Sequence, residues 1–390
     1  MSATPQERLD DAALVDAADP AGVLRQVASS AAQVRTAVRV AAETDLAAIA
    51  VDGRPRAIVV AGMGGSGIAG EVLAAVCGPG CPVQVMSIHD YRLPGWVGAA
   101  DLVIAVSCSG STEETLAAAQ EAVRRGSRLI AVGAAASPLA AVAEQAQAPF
   151  VPVESAGMPR STLWALSVPL VVMASRLDIL DLPPAAYEAA AAELERVSHM
   201  CRPDSDAFVN PAKALALELS GTLPLIWGTS PLAGVAAYRF ACQLNENGKY
   251  PAIAGLLPEA NHNQVVAFDG PFAPGADGQG SSGGELAFGT DGDPAANGKE
   301  PAVPLRLVLL RDSYEHPQVA RRREESGRLA AERGIGVSEL AAMGEGPLER
   351  LASLVQLIDY ATVYLAIAHG TDPGPIAAIQ KLKARITSDR

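Results

Sequence analysis

Apolar residues fall along this chain in short unbroken runs, and several of the runs stop at clusters of turn-forming residues. Ala57–Ala61 (AIVVA) stops at Gly62–Gly67, and Asp101–Val106 (DLVIAV) stops at Ser107–Thr112. Val83–Ile88, Arg128–Val132 and Pro149–Val153 continue the series. Runs apolar at successive rather than alternate positions predict strands buried on both faces. Helical patterns separate them, over Ile68–Cys77 and Glu113–Arg125. Strands alternating with helices predict a parallel sheet covered on both sides, because a parallel crossover needs a helix.

The rhythm returns in the second half. Leu223–Gly228 (LPLIWG) reads as a strand, Thr229-Ser230-Pro231 as a helix entry, and Ala233–Leu244 as the helix. Leu305–Leu310 (LRLVLL) precedes a charged helix near Pro317–Arg333, and Leu348–Ala368 is the longest helical pattern. Residues 1–50 are Ala-rich, with spaced apolar positions at Val23, Leu24, Val27, Val34 and Val38, and read as helical. The Ala/Glu helix Pro183–Val197 is expected to bridge two doubly wound α/β halves, whose boundary falls near 180–205. The expected organisation is a helical segment 1–50, a first half 51–185 and a second half 186–390. Residues 271–304, rich in Gly, Ala, Pro, Ser and Asp, interrupt the second half and read as a mobile insertion without chemistry of its own.

Composition narrows the function classes. With 390 residues, 49% of them hydrophobic, the chain can bury a substantial core. Its formal charge of −13 argues against nucleic acid or an anionic membrane as the main partner. The start, MSATPQERLDDAALVDAADP, lacks the basic-then-apolar order of a secretory signal. The apolar run near Trp164–Ala174 is shorter than the roughly 18 residues a membrane span needs. Five scattered cysteines fit a reducing cytoplasm, and Cys77 and Cys81 lack the second Cys/His pair that a metal site needs. No metal is expected.

Two loops carry candidate chemistry. Gly62-Met63-Gly64-Gly65-Ser66-Gly67 matches G-x-G-x-x-G between a strand and a helix, with Asp90 ending the following strand. That pattern admits a dinucleotide site, because free helix N–H groups attract phosphate. Ser107-Cys108-Ser109-Gly110-Ser111-Thr112 places four hydroxyls in six positions before a second helix. Helix capping needs one such residue. A neutral cradle for a phosphate dianion uses several, and a dinucleotide fold has no need of this second turn.

These two loops together resemble the sugar isomerase (SIS) domain. Asn245-Glu246-Asn247-Gly248-Lys249-Tyr250-Pro251 and Pro258-Glu259-Ala260-Asn261-His262-Asn263 narrow the resemblance to the bifunctional phosphoglucose/phosphomannose isomerase family, over roughly residues 55–390 outside 271–304. The resemblance implies two SIS subdomains, each a mostly parallel sheet flanked by helices, with the active site where they meet. It implies a hexose phosphate substrate, no cofactor, and interconversion of glucose 6-phosphate, and of mannose 6-phosphate, with fructose 6-phosphate.

Carried over by motif, Gly65, Ser66, Ser107, Ser109 and Thr112 hold the phosphate. The resemblance implies that Glu246 is the base passing a proton between C2 and C1, and that His262 assists ring opening from the neighbouring subunit of a homodimer. Arg160, in Gly157-Met158-Pro159-Arg160-Ser161, matches the family's active-site arginine. The segment leading to Lys381 and Lys383 resembles the family's ending, where a lysine approaches the site; either lysine could correspond, Lys381 being the preferred one, and Gly374 stands where the family often has Thr. These residue types suit the chemistry: an imidazole can move a proton at the ring oxygen, a carboxylate can exchange a C–H proton in both directions, and a guanidinium can stabilise the enediolate. The alternatives are an NAD(P)-dependent oxidoreductase built on Gly62–Gly67 and Asp90, and a non-catalytic sugar-phosphate-binding protein.

Overall fold

The computed structural model describes residues 3–51, 53–154, 157–274 and 303–388. Of the expected insertion 271–304, residues 275–302 lie outside the described residues. The N-terminal segment forms helices α1 (Pro5–Asp10), α2 (Ala12–Ala18), α3 (Val23–Ala28), α4 (Ser30–Glu43) and α5 (Ala47–Ala50). The first half contains β1 (Ala57–Ala61), α6 (Ile68–Cys77), β2 (Gln84–Ile88), β3 (Leu102–Ser107), α7 (Glu113–Arg124), β4 (Arg128–Gly133), α8 (Pro138–Gln145), β5 (Phe150–Pro152) and α9 (Leu163–Arg176). Its strands form one parallel sheet in the order β2-β1-β3-β4-β5. Every residue of β1 and β3 is buried, as expected of strands covered by helices on both faces.

After α10 (Pro184–Met200) and α11 (Pro211–Leu219), the second half runs β6 (Leu223–Gly228), α12 (Pro231–Gln243), β7 (Ile253–Leu256), β8 (Leu305–Arg311), α13 (Pro317–Glu332), β9 (Gly336–Ala341) and α14 (Pro347–Ala368), ending in α15 (Ala377–Ser388). Its parallel sheet has the order β7-β6-β8-β9. In this sheet β6, β7, β8 and β9 occupy the places that β1, β2, β3 and β4 occupy in the first. The expected α/β class with two parallel, helix-flanked sheets is the one observed.

The strands and helices read from apolar runs begin and end within a few residues of their expected limits. The elements that escaped that reading have weaker local signals. β7 has four residues including Gly255, and β9 is an edge strand whose burial is interrupted by exposed residues. α9 is apolar on nearly all sides and keeps Pro169 inside it, so its run shows no helical period. It is enclosed by α4 and α6.

α14 is the central helix, packed against α10, α11 and α12. By length and composition it could cross a membrane, but nearly all of it is buried inside the protein. Several of its buried residues are polar, among them Gln356, Asp359 and Thr362. α10 packs on both α4 and α14, and so sits between the N-terminal layer and the second half.

Candidate active site

The two loops named from the sequence meet at the carboxyl ends of β1 and β3, where open α/β sheets present their helix N-termini. Ser66 is buried, and its Oγ accepts a hydrogen bond from the Cys108 amide at 3.2 Å. That contact joins the loops and leaves the Ser66 O–H to donate elsewhere. Ser107 Oγ lies 2.9 Å from Thr112 Oγ1, and Ser109 Oγ accepts from Ser111 Oγ at 3.0 Å. Thr112 occupies the N-cap of α7 without a side-chain capping bond, because its hydroxyl is engaged by Ser107. The first amides of α7 are therefore not answered by that side chain, and their partial positive charge faces the hydroxyl-rich turn. Gly110 has φ +64°, and a Cβ there would overlap the Ser137 side chain, so the turn requires glycine on both counts.

Arg160 lies in a short turn, Pro159–Ser161, against the first loop; a Cβ on Gly65 would stand 3.3 Å from the Pro159 carbonyl oxygen. Its side chain is only 4% exposed. Nε donates to Asn247 Oδ1 at 2.6 Å, and one terminal nitrogen, Nη2, donates to the carbonyls of Pro373 at 2.8 Å and Gly374 at 2.7 Å. Burial pushes the guanidinium pKa down, and the nearby carboxylates of Glu246 and Asp372 oppose that shift.

Glu246 stands in a five-residue π-type turn, Leu244–Gly248, that continues α12. The sequence placed it beyond a helix C-terminus, where a carboxylate opposes the helix dipole. In the fold its turn is held from two sides. Asn247 joins it to Arg160, and Lys249 Nζ donates to the Glu246 carbonyl at 2.7 Å and to the Pro373 carbonyl at 3.1 Å. Lys249 has φ +53°, a left-handed conformation uncommon outside glycine, which ends the turn. Burial is the main cause lowering its ammonium pKa, and Arg160 adds to it.

Behind these groups is a buried frame. Arg239 forms a two-point ion pair with Asp359 at 2.9 and 2.5 Å and also donates to the Arg160 carbonyl at 3.1 Å. Gln243 donates to the same carbonyl at 3.3 Å. A third link runs from Thr162 Oγ1 to Cys108 Sγ at 3.5 Å. The hydroxyl loops, Arg160, the Glu246 turn and Pro373–Gly374 are thus tied into one network where the two halves meet.

Three candidate residues lie elsewhere. His262 ends a short turn, Glu259–His262, beyond the edge strand β7; it is exposed and makes no hydrogen bond or ion pair among the described residues. Lys381 is exposed on α15, whose described side chains are all exposed. Asp90 is likewise exposed, and its Oδ1 accepts from the Tyr91 amide. Gly374 contributes its carbonyl to Arg160, and a Cβ on it would come within 2.8 Å of Ala21 Cβ. The N-terminal segment of this chain therefore takes the space that a threonine would need.

Asn247 and Lys249 sit inside a motif quoted from the sequence, yet nothing local marked them for the site. Arg239, Gln243, Asp359 and Thr362 carried only one signal, a polar residue in an apolar helix. Among the described residues, no cluster of three or more His, Cys, Asp or Glu side chains could hold a metal.

Comparison with known proteins matches a separate family model to each half. Residues 54–155 match the SIS domain, and residues 208–386 match the bacterial phospho-glucose isomerase C-terminal SIS domain. The chain is 30% identical to a bifunctional phosphoglucose/phosphomannose isomerase of Caldicellulosiruptor bescii, over 84% of this chain and 89% of that protein. It is 27% identical to the protein of the same name from Thermoplasma acidophilum, over 85% and 89%. Among solved structures, a hypothetical protein of Thermus thermophilus superimposes with a TM-score of 0.68 at 17% identity, covering 98% of this chain and 93% of that one. The C-terminal domain of glucosamine-fructose-6-phosphate aminotransferase from Francisella tularensis gives 0.64 at 14% identity, over 90% and 98%. At these identities the structural likeness concerns the fold.

Proposed function

The chain belongs to the bifunctional phosphoglucose/phosphomannose isomerase family and is a sugar-phosphate isomerase, and we propose that its reaction takes place around Arg160. It interconverts glucose 6-phosphate, and mannose 6-phosphate, with fructose 6-phosphate. The observation that carries the siting is the set of bonds by which Arg160 joins the Glu246 turn to Pro373–Gly374 beside the hydroxyl-rich loops.

In this reading the phosphate occupies the turn Ser107–Thr112 with Ser66 and Gly65, held by hydroxyls and by the amides opening α7. The sugar then extends toward Glu246. A proton moves at the ring oxygen to open the hemiacetal, and His262 of a second copy serves this step. An imidazole suits it because it can exist in either protonation state near neutral pH. The Glu246 carboxylate next removes the C2 proton, leaving an enediolate whose negative charge faces Arg160, and returns that proton to C1 while the hydroxyl proton passes from O2 to O1. Loss and return leave the substrate redox state unchanged, so the step asks for no nicotinamide.

A homodimer fits the position of His262, which has no partner in its own chain among the described residues. Tyr238, Ile253, Leu256 and Val266, on α12, β7 and the turn after His262, are exposed apolar side chains. A groove of about 600 Å³ is lined by residues of α6, β2, α12 and β7. Exposed apolar side chains are what an interface covers. Lys381 belongs to this reading as a residue carried on α15, and the scattered cysteines fit action in the cytoplasm.

The test is a coupled assay started with fructose 6-phosphate, detecting glucose 6-phosphate and mannose 6-phosphate separately, on the wild type and on Glu246→Gln. Formation of both aldoses by the wild type is expected. Formation of neither overturns the proposal.

A further inference from the structure

Between Arg160 and the central helix runs a short chain of buried polar groups whose donors and acceptors all point one way. Thr362 Oγ1 donates to the Asp359 carbonyl at 2.8 Å, which spends its only proton. Its oxygen is then an acceptor, and Asn247 Nδ2 donates to it at 3.0 Å. This leaves Asn247 presenting its carbonyl oxygen, which receives Arg160 Nε at 2.6 Å. A guanidinium can only donate, so the opposite amide orientation would set two donors face to face. Asn247 is 1% exposed and Thr362 fully buried, so neither group faces bulk solvent.

The far side of the guanidinium is equally constrained. Nη2 is held by the Pro373 and Gly374 carbonyls, while Nη1 makes no hydrogen bond among the described residues. Of the three nitrogens, the geometry thus leaves one to meet a ligand.

We propose that Asn247 and Thr362 are positioning residues, which act through Arg160 by turning its one uncommitted nitrogen toward the enediolate. The inference rests on the role assigned to Arg160 above. Thr362 never approaches the substrate; it sets the amide orientation of Asn247, and Asn247 sets the plane of the guanidinium. Binding of the substrate phosphate, which uses the Ser107–Thr112 turn, is independent of this chain of bonds.

Thr362→Val keeps the shape of the side chain and removes the acceptor. It is expected to lower kcat about tenfold with KM for fructose 6-phosphate changed by less than about twofold. Two inhibitors sharpen the measurement: a phosphorylated pentonohydroxamate that imitates the enediolate, and a hexitol 6-phosphate that carries only the ground-state groups. The variant is expected to lose about tenfold affinity for the first and keep the second within about twofold, and Thr362→Ser is expected to restore both. Equal losses for both inhibitors, or an unchanged kcat, overturn the inference and leave Thr362 as ordinary packing.

Should Thr362→Val fail to fold, Asn247→Asp carries the same test. It puts a carboxylate against Nε that cancels the charge offered to the enediolate, and undiminished hydroxamate affinity in that variant overturns the inference. Arg160→Gln tells the two levels apart. If it too keeps the hydroxamate, the assignment of Arg160 fails. If it alone loses the hydroxamate, only the positioning role of Asn247 and Thr362 fails.

Discussion

The two halves share a strand order, yet the crevices above their sheets are filled differently. In the first half, β3 leads into Ser107–Thr112, where hydroxyls line the turn before α7. In the second half β8 holds the place of β3, and the next residue is Asp312. Its carboxylate is buried, accepts Ser230 Oγ at 2.7 Å and Arg350 Nε at 2.8 Å, and its amide donates to Thr229 Oγ1. Arg350 in turn stacks on Tyr314 at 4.2 Å. Where the first half presents neutral hydroxyls, which on the proposed reading receive the substrate phosphate, the second supplies an anion of its own and neutralises it with an internal cation. A crevice at the carboxyl edge of a parallel sheet is thus a general receptor for negative charge. On the proposed reading, the side chains of one turn decide whether that charge is substrate or protein.

The largest expected effect separates two carboxylates of the second half. Glu246→Gln should lower kcat roughly 10³-fold while a phosphorylated inhibitor still binds and the urea midpoint holds, because only proton transfer is removed. A variant keeping most of its rate would show that another group is the base.

Asp312→Asn should do the reverse. Leaving Arg350 buried without its counter-charge is expected to cost about 3 kcal/mol in urea unfolding, with KM for fructose 6-phosphate unchanged. A large rise in KM would mean that the second crevice also handles substrate, and the contrast between the halves would fail.

A smaller effect is expected from Ser109→Ala. Removing one hydroxyl from the open cradle should raise KM about tenfold and leave kcat and stability nearly unaltered. An unchanged KM would return that turn to ordinary loop chemistry.

The smallest concerns His89, at the end of β2 beside the first loop. Its Nδ1 lies 2.8 Å from the Gly62 carbonyl and its Nε2 lies 3.6 Å from Glu71. The nearby Glu71 carboxylate raises the imidazole pKa, against the opposing effect of burial. A raised value means that the folded state holds the proton more tightly than the unfolded chain. The added stability is therefore complete below the ordinary imidazole value of 6.5 and disappears as pH climbs through the folded-state value. Both side chains are partly exposed, so solvent screening limits this to about 0.5 kcal/mol at most. His89→Gln should flatten the urea midpoint against pH in that window, and an unaltered slope would remove the pair from the account.

Much of this molecule could be read before it was folded, and the reason is local. The strands β1, β3, β6 and β8 are unbroken apolar runs because both faces of each are covered. The turn after β3 announces itself by four hydroxyls in six residues. The motif around Glu246 stood out mainly through its resemblance to the isomerase family, and a carboxylate opposing the dipole at a helix C-terminus was a lesser cue. β7, β9 and the fully apolar α9 were harder, since burial by neighbours overrides the period that a sequence displays.

What the chain could not announce by itself is which groups meet. Arg160 receives its partners from Asn247, 87 positions away, and from Pro373 and Gly374, 213 and 214 away. Asn247 is oriented by Thr362 at a separation of 115, and Asp359 meets Arg239 at 120. Local order along a sequence dictates which residues form a strand, a turn or a helix, because those choices depend on neighbours a few positions away. The direction in which a buried amide or guanidinium points depends on donors and acceptors brought up by other elements. Only the packed tertiary structure decides it.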